Sequence, residues 1–484
     1  MKKVIKFKNL FVFFGLLGLS GMAGAASLLE VYQQALQSDP RIHEAEALRL
    51  AALEAEPQAR GVLLPQVNLS GRWTTTTVSG TTPFQDPQGP LGQQIVADFE
   101  DDQDLTDWDV SLRQTLFRWD RIVDLRRADK QVAKAEADRE AAQQDLIVRV
   151  GQSYFDVLAA EDRLTSTHAN RQAIARQLEQ AKQRFDVGLI AITDVQESQA
   201  AYDGAVADEI AAKRVLATAR EILREITGEY VGQLAAPGEE FPMRTPNPAA
   251  EKDWVDLALD QNLALVSSRL DEKLARDEIS YRRNGHYPTI DLVASTGNRD
   301  LTGDRTIDLS NLGFPDAVFP TDDDRDTDFI RIEVTVPLFS GGTTSSRVRE
   351  AVYLHRAARE QLQRVTRETE RATRDAYLGV MSEKSRVEAL EQAVKSSQTA
   401  LEATEAGFEV GTRTIVDVLD SQFQVYRNIT LFYQARYDYL MNVLRLKQAA
   451  GTLQIQDLEE IDQWLQERKT PEQKFAEEAA ATSS

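Results

Sequence analysis

Two stretches, from about Asp120 to Phe185 and from about Thr343 to Phe408, place small or apolar residues at spacings of three and four and contain no proline. In the first these residues are Ala128, Val132, Ala135, Ala142 and Leu146; in the second they are Ala358, Leu362, Val365, Ala372 and Ala376. That period predicts α-helix with a single packed stripe. At 1.5 Å per residue, runs of about 65 residues would reach about 100 Å, longer than any globular domain. An Ala-rich seam between charged flanks is what closely packed coiled coils require. Two shorter helical runs, Ile192 to about Ile226 and Ile415 to about Ala450, return along the long ones, with Gly228 and Gly451 as stops.

Ahead of each long run the period changes to two. Val67, Leu69, Gly71 and Trp73 alternate with Asn68, Ser70, Arg72 and Thr74; Trp108, Val110, Leu112 and Leu116 belong to a second alternating segment. In the other half Ile290 and Leu292 begin a strand, and Ile330, Ile332, Val334, Val336 and Leu338 alternate with Arg331, Glu333 and Thr335. Each pair reads as a hairpin. The intervening segments, roughly Gly80 to Thr106 and the acidic run around Asp322, Asp323, Asp324, Asp326 and Asp328, read as loops. A face of apolar residues backed by polar ones suits membrane barrel strands. Four strands cannot close a barrel alone, and an open edge in lipid leaves backbone groups unsatisfied. If the strands lie in a membrane, several subunits must share one barrel.

The halves are copies. Arg184 to Gln199, RFDVGLIAITDVQESQ, recurs 223 positions later as Gly407 to Gln422, GFEVGTRTIVDVLDSQ. The same register pairs Ala35-Leu36 with Ala258-Leu259, Pro65 with Pro288 and Tyr154 with Tyr377. The reading is therefore a leader at 1–26, a first repeat at 27–236 (hairpin of strands about 66–117, helical hairpin about 120–226), a proline-rich linker at 237–250, a second repeat at 251–458 (strands about 289–338, helices about 343–450) and a disordered tail at 459–484.

Composition narrows the class. Lys2, Lys3, Lys6 and Lys8 precede an apolar run from Leu10 to Leu19 and small residues up to Ala26, the pattern of an export leader too short to span a bilayer. The formal net charge is −21, and removing that leader makes it more negative, so nucleic acid is no partner. There is no cysteine, which excludes disulfides and thiolate metal sites. His43, His168, His286 and His355 lie far apart, and no catalytic or nucleotide-binding motif is present. No enzyme activity, metal or cofactor is expected.

The segments VYQQALQSDP, RFDVGLIAITDV, GHYPTIDL with AST close behind, and above all VGTRTIVDVLD at 410–420, resemble the TolC family of outer-membrane efflux channels. The resemblance spans the chain apart from the acidic segments, the leader and the tail. It implies a mostly α fold with membrane β: a homotrimer with four strands per subunit in a 12-stranded β-barrel, on a long α-helical coiled-coil tunnel. It implies a passive exit duct for drug efflux pumps or type I protein exporters, with a periplasmic adaptor and an inner-membrane pump or ABC exporter as partners and outer-membrane lipid around the barrel.

The family pattern also gives roles to the duplicated turn. Asp417 and Asp420, three apart and so on one helical face, match a pair that constricts the periplasmic entrance; in a trimer they make two carboxylate rings, whose crowding favours cation binding or proton uptake. Thr412 and Arg413 match latch residues, and Thr193 and Asp194 match their partners on the other hairpin. Where the family's best-known member has Tyr in the latch, this chain has Phe408, which lacks the hydroxyl. Phe432, Tyr433, Tyr437 and Tyr439 read as packing on the last long helix. The alternative from another class is a periplasmic coiled-coil adaptor, which would fit the helices but not the strands.

Overall fold

A computed structural model describes residues 25–85, 90, 94–238, 241–473 and 475. Most of the expected leader, the centre of the first strand connection and the end of the tail lie outside them. In chain order the elements are α1 (Leu28–Ser38), α2 (Pro40–Leu53), α3 (Ala55–Gly61), β1 (Gln66–Gln85), β2 (Gln94–Phe117), α4 (Trp119–Asp186), α5 (Ile192–Thr227), β3 (Ala236–Pro237), α6 (Glu251–Gln261) and α7 (Leu263–Arg283). There follow β4 (Thr289–Asp308), β5 (Ala317–Thr335), α8 (Thr343–Glu409), α9 (Ile415–Ala450), α10 (Ile455–Asp462) and β6 (Leu465–Gln466). The chain forms two compact units, each built from both repeats: one of residues 1–43, 141–262 and 369–484, the other of 44–140 and 263–368.

In the second of these units, β1, β2, β4 and β5 form one antiparallel sheet in that order, so β1 and β5 are its edges. The strands are 20, 24, 20 and 19 residues long, where a tilted crossing of a bilayer takes about 9–11. The two segments expected as acidic loops are therefore strand instead. Asp has low intrinsic strand propensity, but here some of the carboxylates meet a donor on a neighbouring strand. Thr75 Oγ1 donates to Asp104 at 2.6 Å, and Asn298 Nδ2 donates to Asp324 at 2.6 Å and Asp326 at 3.1 Å. Full ladder pairing supplies the rest.

Register sorts the side chains onto two unlike faces. Val67, Leu112, Ala294 and Ile330 stand in one row of the more exposed face, and Leu69 is 73% and Ile330 79% exposed. The apolar stretch slides from residues 67–73 on β1 to 330–334 on β5, the stagger that tilted strands need to keep one band level in a membrane. Trp73 and Trp108 stand at its far margin, as interfacial aromatic residues do. Beyond them the same face carries Asp98, Glu100, Asp102 and Asp104 on β2, Asp300, Asp304 and Asp308 on β4, and Asp322, Asp324, Asp326 and Asp328 on β5, with no Lys or Arg. The opposite face mixes Arg72, Arg113, Arg299, Arg305, Arg325 and Arg331 with Asp101, Asp107, Asp109, Asp291, Asp323 and Glu333.

The other unit is a helical core. Leu28, Val31, Tyr32 and Ala35 of α1 pack with Leu216 and Leu223 of α5, Leu440 and Leu444 of α9, and Leu458 and Ile461 of α10. Gly151 lets α4 approach α9 closely, since a Cβ there would lie 3.1 Å from Leu444. Tyr437 and Tyr439 are buried, as the packing reading expects.

The tail expected to be disordered from residue 459 is ordered through its described part. Its hydrophobic residues find the core, and its charges find partners far away in sequence. β6 pairs with β3, so the proline-rich linker is held in place. Arg468 binds the carboxylate of Asp162, which also accepts from Tyr437 Oη at 2.6 Å, and Glu472 pairs with Arg220 at 2.9 Å. Asp162 is buried, so removing its cation strands a charge. Arg468→Ala should cost about 3 kcal/mol, read as a lower melting temperature of the detergent-solubilised protein; an unchanged melt would mean that the tail is not held by this pair.

Candidate functional site

The two helical hairpins end in the same turn. After α4, Gly188 (φ 76°) turns the chain and Leu189 N donates to Arg184 O at 2.8 Å; after α8, Gly411 (φ 79°) does so and Thr412 N donates to Gly407 O at 2.8 Å. Both glycines take the left-handed conformation that ends helices without a Cβ penalty. Thr412 Oγ1 adds a bond to Gly407 O at 3.0 Å, and the Arg413 amide donates to the same oxygen at 3.2 Å. At Gly407 a Cβ would lie 2.8 Å from the Arg413 side chain, which would have to shift to make room for it.

The returning helices begin differently. Thr414 caps α9 reciprocally with Asp417: the Thr414 amide donates to Asp417 Oδ2 at 2.9 Å, its hydroxyl donates to that oxygen at 3.0 Å, and the Asp417 amide returns a bond at 3.2 Å. In the first repeat the cap position is Ala191, which has no hydroxyl, so Asp194 is at the same register with its carboxylate unused by the helix start. Among the described residues, neither the side chains of Thr193 and Asp194 nor the guanidinium of Arg413 make a hydrogen bond or ion pair within the chain. The expected latch pair is thus not brought together in a single subunit.

The local bonds also act on Asp417, one of the two carboxylates expected at the entrance. The Thr414 amide and hydroxyl hold the Asp417 carboxyl below its ordinary value, and the charge of Arg413 acts the same way. Within one chain this opposes the expected tendency to take up a proton. Asp420 is exposed.

Phe408 has a partner that its missing hydroxyl did not suggest. The guanidinium of Arg184, at the end of the other hairpin, lies over its ring at 4.9 Å, while the ring packs on the cluster of Ile174, Ala205, Ile415 and Leu419. A cation on an aromatic face is worth about 0.5–1 kcal/mol when exposed, similar to an exposed ion pair. Sequence reasoning missed Arg184 and Thr414. The signal was in the mismatches of the duplication, for Arg184 stands where the second copy has Gly407, and Thr414 where the first has Ala191.

No helix among the described residues is long and apolar enough to cross a membrane, and no group of three or more His, Asp or Glu is placed to hold a metal. An apolar sheet face flanked by aromatic residues, joined in one chain to long paired helices with matched ends, defines a subunit of a β-strand membrane channel. The chain belongs to the outer membrane efflux protein family, whose profile matches residues 31–229 and again 254–452. Those two matches are offset by 223 residues, the period of the duplication. The chain is 36% identical to Outer membrane protein TolC of Vibrio cholerae over 97% of its own length and 100% of the relative's. It is 29% identical to Alkaline protease secretion protein AprF of Pseudomonas aeruginosa, over 90% and 87% of the two chains. In fold it resembles the Campylobacter jejuni CmeC outer membrane channel (TM-score 0.68, 16% identity, 91% and 90% covered). The protein resides in the outer membrane, which sets aside the adaptor alternative.

Because the Asp417 carboxyl lies below its ordinary value of 3.8, its cap is complete above that pH and is lost as pH falls through the folded value. The protection factors of the Asp417 and Val418 amides should hold from neutral pH down to about pH 4, fall only in acid below it, and be lower at every pH in Thr414→Ala. An Asp420→Asn variant with the same loss of protection would show that capping is not the cause.

Proposed function

We propose that three copies of this chain form one 12-stranded barrel continued by a helical tunnel, a passive exit duct for an inner-membrane efflux pump or ABC exporter joined through a periplasmic adaptor. The observation that carries this reading is the sheet with an apolar face and two free edges, β1 and β5. In lipid each edge needs a strand to bond with, and copies of the same sheet supply it in a closed ring. The relative named for alkaline protease secretion supports protein export beside efflux. Nothing in the reading calls for catalysis, metal or cofactor.

The entrance is closed by weak links. Arg413 reaches Asp194 and Thr193 of a neighbouring subunit, with Thr412 beside it, while Arg184 and Phe408 tie the two hairpins within a subunit. Each link is worth about 0–1 kcal/mol, so an adaptor's contacts suffice to uncoil the hairpins. Asp420, unengaged, faces the opening as a carboxylate ring; Asp417 contributes a second ring while capping its helix. Both rings favour cations.

In planar bilayers the purified protein should show small, cation-selective currents. Arg413→Ala and Arg184→Gln should each raise resting conductance several-fold, and Asp417→Ala/Asp420→Ala should lose cation selectivity. A protein that forms no pore would refute the duct; pores unchanged by all three changes would refute this account of the entrance.

A further inference from the structure

All four strand roots on the helical side of the sheet carry arginine. The segments 60–65, 118–127, 281–288 and 339–350 hold nine Arg and only Asp120, Asp124 and Glu350 as acids, in a chain of net charge −21. Among the described residues Arg126, Arg283, Arg347 and Arg349 have no carboxylate partner. The Nε atoms of Arg118, Arg121 and Arg127 are buried without a hydrogen bond, although Arg118 and Arg121 lie 3.8 Å from the Asp120 carboxylate and Arg127 pairs with Glu278 at 3.0 Å. Arg121 and Arg127 also line a cavity of about 250 Å³ between α3 and the start of α4, walled by Gln58 and Val62. Asp124 shares that cavity.

Apolar groups adjoin these donors. Leu338 and Phe339 are 92% and 90% exposed, and Leu64 and Tyr287 are exposed as well. Trp119 touches Tyr287 edge-on at 6.0 Å and carries the guanidinium of Arg126 at 5.4 Å. Guanidinium groups in the same short segments as exposed aromatic and aliphatic side chains match a headgroup and the start of its acyl chains.

We propose that this arginine collar binds the phosphodiester headgroups of anionic glycerophospholipids in the membrane leaflet next to the helices. The inference rests on the sheet lying in a membrane. It adds a lipid site to the duct, one that fixes how deep the strand roots sit.

The test uses the full-length protein in nanodiscs of phosphatidylethanolamine with and without phosphatidylglycerol, with retained lipid counted by native mass spectrometry. Wild type should retain phosphatidylglycerol preferentially. Arg283→Gln/Arg347→Gln/Arg349→Gln should retain several-fold less, the matching triple Lys variant should restore most of it, and inorganic phosphate at the lipid's concentration should displace none. Equal retention by the Gln variant would overturn the collar, as would displacement by free phosphate, which would mark a simple anion site. A wild type that enters neither nanodisc would overturn the membrane sheet itself, whereas entry without lipid preference would overturn only the collar.

Discussion

An exposed strand edge cannot be left in hydrocarbon, and much of this molecule answers to that one constraint. The described chain supplies a sheet of four long strands with two open edges, and in lipid those edges call for strands from outside it. The duplication offers an economical way to build such a piece, since each repeat contributes one hairpin of strands and one hairpin of helices. Small residues such as Gly151 let the long helices approach closely, and the Gly188 and Gly411 turns bring each chain back without strain.

Much of this was legible in the sequence because it is periodic. The helical seam of Ala and Leu, the alternation after Pro65 and Pro288, and the 223-residue register gave helix and strand limits close to those observed. Local reading failed where partners were distant. The stretch Asp98 to Thr106 has a loop's composition, and it is strand because β1 on one side and β4 on the other pair with it throughout. The tail has a disordered composition, yet Arg468 finds Asp162, 306 positions away. Neither contact leaves a mark at short range.

The hairpin ends were partly legible for a different reason. Shared residues identified the turn, but what each copy does depends on where they differ. Ala191 frees Asp194, whereas Thr414 engages Asp417. Arg184 occupies the position of Gly407 and lies over the ring of Phe408. One ancestral turn has thus become two complementary halves, one offering an unused carboxylate and the other an unused guanidinium.

The sorting of charge on the extended strands has a further consequence. Eleven carboxylates without a cation occupy the far part of one sheet face, while the opposite face balances six arginines against six acids. Beyond the apolar band the acidic face is therefore a polyelectrolyte with its own counterion atmosphere, about 8 Å deep at physiological ionic strength. Small cations accumulate there and polyanions are held off. The opposite face, being overall neutral, gathers no such layer.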